Sequence, residues 1–427
     1  MRVRLDYGVD GLEVELPDDR ITVVEPVFRC AVRDPHAALV EAFRAPIDAP
    51  PLRQVTSRGG RVAISVCDIT RAQPRREMLE ALFEEMPDVR AGDVTILVAT
   101  GTHRANTPAE LEAMLGADLV RRCCVINHDS RDPSALVHVA DTATDVPVYL
   151  NRRWLDADVR ITTGFVEPHF FAGFSGGPKM VAPGLAGLQT VLTLHDARRI
   201  GHPMATWGIT EGNPIHDDVR RIARMTGVHF AVDVTLNRAH QITAVFAGEL
   251  FAEHRAACAA AKHDAMRKVD SPFDVVLTTN SGYPLDQNLY QAVKGMSAAA
   301  KVVKRGGTIV CAAECRDGLP AHGSYGEVLA SRSSPQELLA MITSPGYSMP
   351  DQWQAQIQAQ VQMKARVLVK SGGLTDSEIR AAHLDPIDEV GASVRCALAA
   401  AGPHATLCVL PQGPQTIPYL AREESPR

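Results

Sequence analysis

The chain lacks most of the short motifs that would assign it at sight. It has no C-x-x-C pair, no H-E-x-x-H, no Walker A loop and no G-x-G-x-x-G opening a helix after a strand. The missing H-E-x-x-H argues against a mononuclear zinc hydrolase, and the missing glycine fingerprint argues against a dinucleotide-binding oxidoreductase. Nine cysteines, an odd number without paired spacing, fit neither a zinc framework nor a secreted disulfide scaffold. They read as reduced, mostly buried thiols of a cytoplasmic protein. No run of about eighteen apolar residues is present, and the first residues have no apolar core of a signal peptide, so no membrane association is expected. Aromatic residues are few, at 5%, and the net charge of −6 with dispersed basic residues offers no footprint for nucleic acid.

What the 427 residues do contain is an α/β rhythm and room for two domains. The first twenty-five residues alternate as a hairpin, with Asp18-Asp19 at the turn. Strands are predicted over 61–67, 93–99, 123–126 and 159–163, with helices between them. Thr107, Pro108 and Glu110 spell a capping box at the start of one helix, and Asn213-Pro214 begins another that runs to Met225. Alternating runs over 231–246 and a helix over 252–267 follow. Val269-Asp270-Ser271-Pro272 reads as a linker, after which strands over 273–279, 307–313 and 405–410 and a glutamine-rich helix over 352–362 form a second unit. Residues 422–427 read as a frayed tail. The expected fold class is α/β: two α/β domains with mostly parallel sheets. The N-terminal domain would span 1–272, with the tail 410–427 packing back on it, and the C-terminal domain 273–409.

Loops that follow the C-terminal ends of strands in such sheets are where ligands bind. Here they carry Asp68, Arg71, His103, His128, His169 and Lys179. The segment 164–195 is the densest. It holds His169, the turn Phe174-Ser175-Gly176-Gly177-Pro178, Lys179 and His195. Glycines let backbone amides approach an anion and the lysine adds charge, so the turn reads either as a phosphate cradle or as a plain glycine-rich turn. Arginines elsewhere, near Arg75, Arg121 and Arg198, read as solvated faces.

Taken together, the motifs resemble a known family. Asp68-x-Thr70-Arg71-x-x-Pro74, Thr100-Gly101-Thr102-His103, Pro168-His169 through Gly176-Gly177-x-Lys179, His195 sixteen residues after that lysine, Tyr290-Gln291-x-x-Lys294 and Asp351-Gln352-Trp353 occur in that order. The chain is similar over most of its length to the nickel-dependent lactate racemases and related 2-hydroxyacid racemases and epimerases. The resemblance implies a nickel-pincer nucleotide, a Ni-pyridinium-3,5-bisthiocarboxylic acid mononucleotide, made by separate cofactor-biosynthesis proteins. It implies that His195 is the protein ligand to nickel and that Lys179 can attach to a thiocarboxyl group. Asp68, Thr70, Ser175, Gly176 and Gly177 would line the cofactor. His103 and His169 would be the acid–base pair, Arg71 and Lys294 would hold the substrate carboxylate, and Tyr290, Gln291 and Trp353 would lie around it.

The chemistry suits these residue types. The C–H of a 2-hydroxycarboxylate is a very weak acid, so inversion by hydride removal through a planar 2-oxoacid needs a base for the hydroxyl proton and cations for the carboxylate. The resemblance also implies a site in the cleft between the two domains, with the C-terminal one able to close over the substrate. Two other readings stay open: a non-catalytic nickel-nucleotide-binding paralogue, and a nicotinamide-dependent 2-hydroxyacid oxidoreductase.

Overall fold

The structure, a computed structural model, describes residues 1–56, 60–320 and 323–420. The chain forms two compact units that are α/β with mostly parallel sheets, as expected. One comprises Phe28–His195 and Met204–Asp264; the other comprises Met1–Val27, Asp196–Pro203 and Ala265–Arg427.

The first unit is built on a six-stranded sheet in the order Ile242–Gly248, Phe230–Leu236, Val159–Phe165, Val62–Cys67, Val94–Ala99, Cys124–Asn127. All neighbours pair in parallel except the Ile242–Gly248 edge strand. Val62–Cys67, VAISVC, is buried at every position, the pattern of a central parallel strand covered on both faces. Its apolar side chains join Leu79, Leu82, Ile96, Val98 and Ile161 in one core. The helices start where their caps say. Thr107 and Glu110 close a reciprocal capping box on Pro108–Leu115, and the Asn213 side chain accepts the first amides of Pro214–Thr226.

The second unit carries a six-stranded, all-parallel sheet in the order Asp385–Pro386, Arg366–Lys370, Val303–Ala312, Phe273–Thr279, Leu407–Leu410, Ile21–Val23. Its core includes Val275, Leu277, Val310, Leu368, Leu407 and Val409. The glutamine-rich helix Gln352–Lys364 is largely buried. Its amides serve backbone carbonyls: Gln358 Nε2 donates to Ala382 O at 2.7 Å, and Gln356 Nε2 to Ala197 O at 2.8 Å.

The division at 272 needs correction at both ends. Residues 1–27 do not belong with the N-terminal sheet. Arg2–Leu5 and Leu12–Glu15 form the expected hairpin, but it turns within residues 6–11, and Asp18-Asp19 lead instead into Ile21–Val23, which pairs in parallel with Leu407–Leu410. The segment 410–420 stays within the second unit, as does the strand it pairs with. Ile417–Leu420 pairs with Met266–Val269, so residues read as a linker begin as a strand. Both pairings join residues far apart in sequence, and local alternation carries no register for such partners. Residues 421–427, and with them the expected frayed tail, lie outside the described residues.

No helix among the described residues is long and apolar enough to cross a membrane. All nine cysteines are unpaired, and only Cys30, Cys124 and Cys396 are exposed.

Candidate active site

The Val62–Cys67 strand leads into Asp68, a residue only 3% exposed. One carboxylate oxygen accepts the Thr70 amide at 2.9 Å and the Thr70 hydroxyl at 2.6 Å. The other meets His103 Nδ1 at 2.5 Å. Burial alone would push this carboxyl up, but the His103 hydrogen bond and charge, with Arg71 and Thr70, hold it well below the usual carboxylate range. An ionised Asp68 requires a proton of His103 on Nδ1, and in the neutral ring this leaves Nε2 as the lone-pair nitrogen. The His103 ring is 44% exposed at its side chain, so that nitrogen belongs to an accessible imidazole.

The loop that presents Asp68 and Arg71 is held by a residue expected on a solvated face. Arg75 is 7% exposed. Its guanidinium donates to the carbonyls of Cys67 at 2.7 Å, Gln73 at 3.1 Å and Arg71 at 2.6 Å, and also to Asp68 O. A strand end and a tight loop leave several carbonyls pointing one way, and five planar N–H donors satisfy them together. Arg121 and Arg198 are exposed, as expected.

A second group gathers around Phe171, a residue the sequence did not single out. Its ring stands edge-on to His169, with centroids 4.5 Å apart, and to His195, at 5.1 Å. Lys179 Nζ lies 6.0 Å from its centroid. The buried Asn213 that caps the following helix also donates to Phe171 O at 2.8 Å, which fixes the backbone of this hub. His195 Nδ1 lies 2.7 Å from Val191 O. A carbonyl can only accept, so Nδ1 carries the proton and the lone pair of this buried neutral ring lies on Nε2. His169 has the opposite arrangement. The Ala172 amide donates to its Nδ1 at 3.3 Å, which places the proton of the neutral ring on Nε2.

Two hydrogen bonds to backbone carbonyls tie the two groups together. Ser65 Oγ, on the central strand, donates to Met180 O at 2.9 Å, and the Gly101 amide donates to Gly184 O at 3.0 Å. The turn that carries Lys179 is thereby docked beside the strand that leads into Asp68 and the loop leading to His103.

The glycine turn itself departs from a simple phosphate cradle. Gly176 and Gly177 have φ of 70° and 50°. The Gly177 amide donates to Asp233 Oδ2 at 2.7 Å, so the anion this amide meets is a side chain of the protein. Ser175 Oγ is likewise engaged, donating to Phe165 O and accepting the Glu167 amide, both at 2.9 Å. His128 is structural. It is buried, with Nε2 against Ala186 O at 2.9 Å and Nδ1 against Asn151 at 3.1 Å, and burial lowers its basicity.

The remaining predicted residues lie in the other unit and cluster on one helix and its neighbour. Tyr290, Gln291 and Lys294 lie on Leu289–Ala299, capped by Asn288, whose side chain accepts the Gln291 amide at 3.1 Å. Trp353 Nε1 donates to the Tyr290 hydroxyl at 3.1 Å, and Tyr290 stands edge-on to Tyr325 at 5.4 Å.

Comparison with known proteins places this arrangement. The family model for the lactate racemase N-terminal domain matches residues 7–208, and that for the lactate racemase C-terminal domain matches residues 268–417. A lactate racemase of Thermoanaerobacterium thermosaccharolyticum is 33% identical over 424 residues, covering 97% of this chain and 98% of the relative. One of Lactiplantibacillus plantarum is 35% identical over 375 residues, covering 86% and 87%. The solved lactate racemase apoprotein from T. thermosaccharolyticum superposes with a TM-score of 0.91 at 32% identity, over 98% of this chain and 100% of that one. A Thermotoga maritima protein shares the fold, with a TM-score of 0.66 at 19% identity over 90% of this chain and 98% of that one. The chain belongs to the lactate racemase family and is an isomerase of the racemase class.

Proposed function

We propose that this protein inverts C2 of a 2-hydroxyacid, lactate or a similar short-chain acid, with a nickel-pincer nucleotide as cofactor. The observation that carries the reading is the pair of opposite tautomers. Asp68 makes His103 Nε2 a base, while the Ala172 amide leaves His169 Nε2 protonated.

The residues fit the cofactor. A single imidazole does not hold nickel by itself, and among the described residues no cluster of three or more His, Cys, Asp and Glu could hold a metal. A nickel ion at His195 Nε2 would therefore need its other donors from an organic group, and sulfur and carbon donors with one imidazole suit tetragonal nickel. Lys179, fastened by its turn beside Phe171, would hold that group through its amine. Such a cofactor, when bound, would supply a hydride acceptor and donor for C2.

The chain's own residues do the rest. His103 Nε2 removes the hydroxyl proton of one enantiomer, and His169 Nε2–H supplies the proton when the opposite enantiomer forms. The roles exchange in the reverse direction. Arg71 and Lys294 bind the carboxylate, and Tyr290, Gln291 and Trp353 shape the surroundings of the substrate. Asp68 and Thr70, expected at the cofactor, act here through His103: Thr70 holds the carboxylate that sets the tautomer.

The test is to co-express the protein with the cofactor-biosynthesis proteins, incubate it with single enantiomers of several 2-hydroxyacids, and follow the opposite enantiomer by chiral chromatography. Inversion of at least one acid is expected, with a loss of about 10²–10⁴-fold in His103→Ala and in His169→Ala. Absence of inversion by nickel-loaded protein, for every acid tried, sinks the reading.

A further inference from the structure

Behind the Gly176-Gly177 turn lies a buried cluster that the proposed chemistry does not use. Asp233, on the strand Phe230–Leu236, pairs in register with Gly164 on Val159–Phe165. Its carboxyl fills space that two glycines leave open. A Cβ on Gly164 would sit 2.4 Å from Asp233 Oδ1, and one on Gly176 2.8 Å from it. One on Gly177 would sit 2.4 Å from the ring of His254. Contacts under 3.0 Å cannot be accommodated without a shift, so these glycines are required by what packs behind them.

The turn is fastened from both sides. Asp233 Oδ2 accepts the Gly177 amide at 2.7 Å, and His254 Nε2 donates to Ser175 O at 2.8 Å. His254 stacks on His216, with centroids 5.6 Å apart and planes 15° from parallel. Burial lowers both imidazoles, to about 4 and about 3, with the nearby charges of Lys179 and Arg220 adding to the effect, so both rings are neutral near pH 7.

Beside Asp233 stands Glu253, wholly buried on the helix Leu250–Ala265. The two carboxyls are within hydrogen-bond reach of each other. Yet Asp233 Oδ1 and both Glu253 oxygens meet no N–H or O–H donor among the described residues. Two carboxylates cannot both be ionised in such a place, and a buried acceptor without a donor is costly. A single proton between them resolves both problems. Asp233 already has an amide donor and is the better anion, so Glu253 is the acid.

We propose that Asp233 and Glu253 are positioning residues that share one proton, Glu253 donating its O–H to Asp233 Oδ1, and that this pair fixes the Gly176-Gly177 turn so that Lys179 is held for the cofactor. The role assigned to Lys179 rests on the function proposed above; the shared proton does not. Burial supports the pair: it pushes Asp233 up to about 7, against the pull of the Gly177 amide, and drives Glu253 well above the carboxyl range, with the charges of Asp233 and Glu249 adding to the rise. The neighbouring Cys258 and Cys67 thiols are themselves raised by burial and by the Asp233 charge, and stay neutral.

The experiment uses the full-length apoprotein, with infrared spectroscopy for a protonated carboxylic acid and amide hydrogen exchange at Gly177. The wild type should show the carbonyl band of a buried acid at pH 7. Asp233→Asn and Glu253→Gln should each abolish that band while keeping the Gly177 amide slow, because a side-chain amide supplies the same donor and acceptor as the shared proton. Asp233→Ala should speed exchange at Gly177 on the order of 100-fold. Nickel content after cofactor loading should stay near wild type in the two amide variants and fall in Asp233→Ala. No acid band in the wild type, a band that persists in both amide variants, or fast exchange in Asp233→Asn overturns the proposal, and none of these needs Asp233→Ala to fold. If Lys179→Ala keeps its full nickel content while the infrared and exchange results stand, the Lys179 assignment fails and the shared proton survives.

Discussion

Asp68 and Asp233 are buried carboxyls on the same sheet, yet the structure shifts their proton affinities in opposite directions. Asp68 receives the Thr70 amide, the Thr70 hydroxyl and His103 Nδ1, and is held well below the usual range. Asp233 receives one amide and faces a second carboxyl, and is pushed up to about 7. Both are desolvated; the difference is the count and charge of the donors. A buried carboxyl beside an imidazole with three donors is an orienting anion. One beside another acid becomes half of a proton-sharing clamp.

The largest expected effect comes from making Asp68 neutral. Asp68→Asn keeps the shape of the site but can offer an N–H to His103 Nδ1, which moves the imidazole proton to Nε2. Turnover of the cofactor-loaded enzyme should fall by about 10²–10⁴-fold with little change in substrate KM. A turnover within a few-fold of wild type would remove Asp68 from the acid–base machinery and erase the contrast with Asp233.

Next comes Arg75, which holds the loop that presents Asp68. Arg75→Ala leaves several buried carbonyls without donors and should lower stability by about 2–4 kcal/mol, read from the midpoint of denaturant unfolding. A loss under about 0.5 kcal/mol would mean that the loop holds its shape without the guanidinium.

The smallest effect is a pair of opposite pH slopes. Asp68 has a folded-state pKa below its unfolded value of about 3.9, so its stabilisation is full above that pH and is lost as pH falls toward the folded value. Asp233 has a folded-state pKa raised to about 7. Its protonation favours the folded state most below about pH 3.9, and that contribution is lost as pH rises through about 7. Thermal melts from pH 3 to 8 should therefore show the Asp68→Asn variant losing its deficit toward acid, and the Asp233→Asn variant gaining relative to wild type toward pH 8. The same slope in both variants would contradict the opposite shifts.

Much of this was legible in the chain. The strand–helix alternation, the Thr107–Glu110 capping box and the Asn213 cap all depend on neighbours within a few residues, and they occur where the sequence placed them. The ordered motifs also carried the family, because Asp68, His103, His169, Lys179 and His195 keep their order and spacing along the chain. The pattern of Gly176 and Gly177 left open a phosphate cradle or a plain glycine-rich turn, and the group that the Gly177 amide meets is Asp233, more than fifty residues on.

The sequence by itself determined the elements, their caps and the identity of the chemical groups, since these follow from local periodicity, short-range hydrogen bonds and side-chain type. Only the tertiary structure decided which sheet took Ile21–Val23, that Arg75 is an internal donor, that Phe171 gathers His169, Lys179 and His195, and which buried acid keeps its proton. Strand register, burial and donor count are set by residues distant in sequence, and the charge of a carboxyl is not settled until its neighbours are in place.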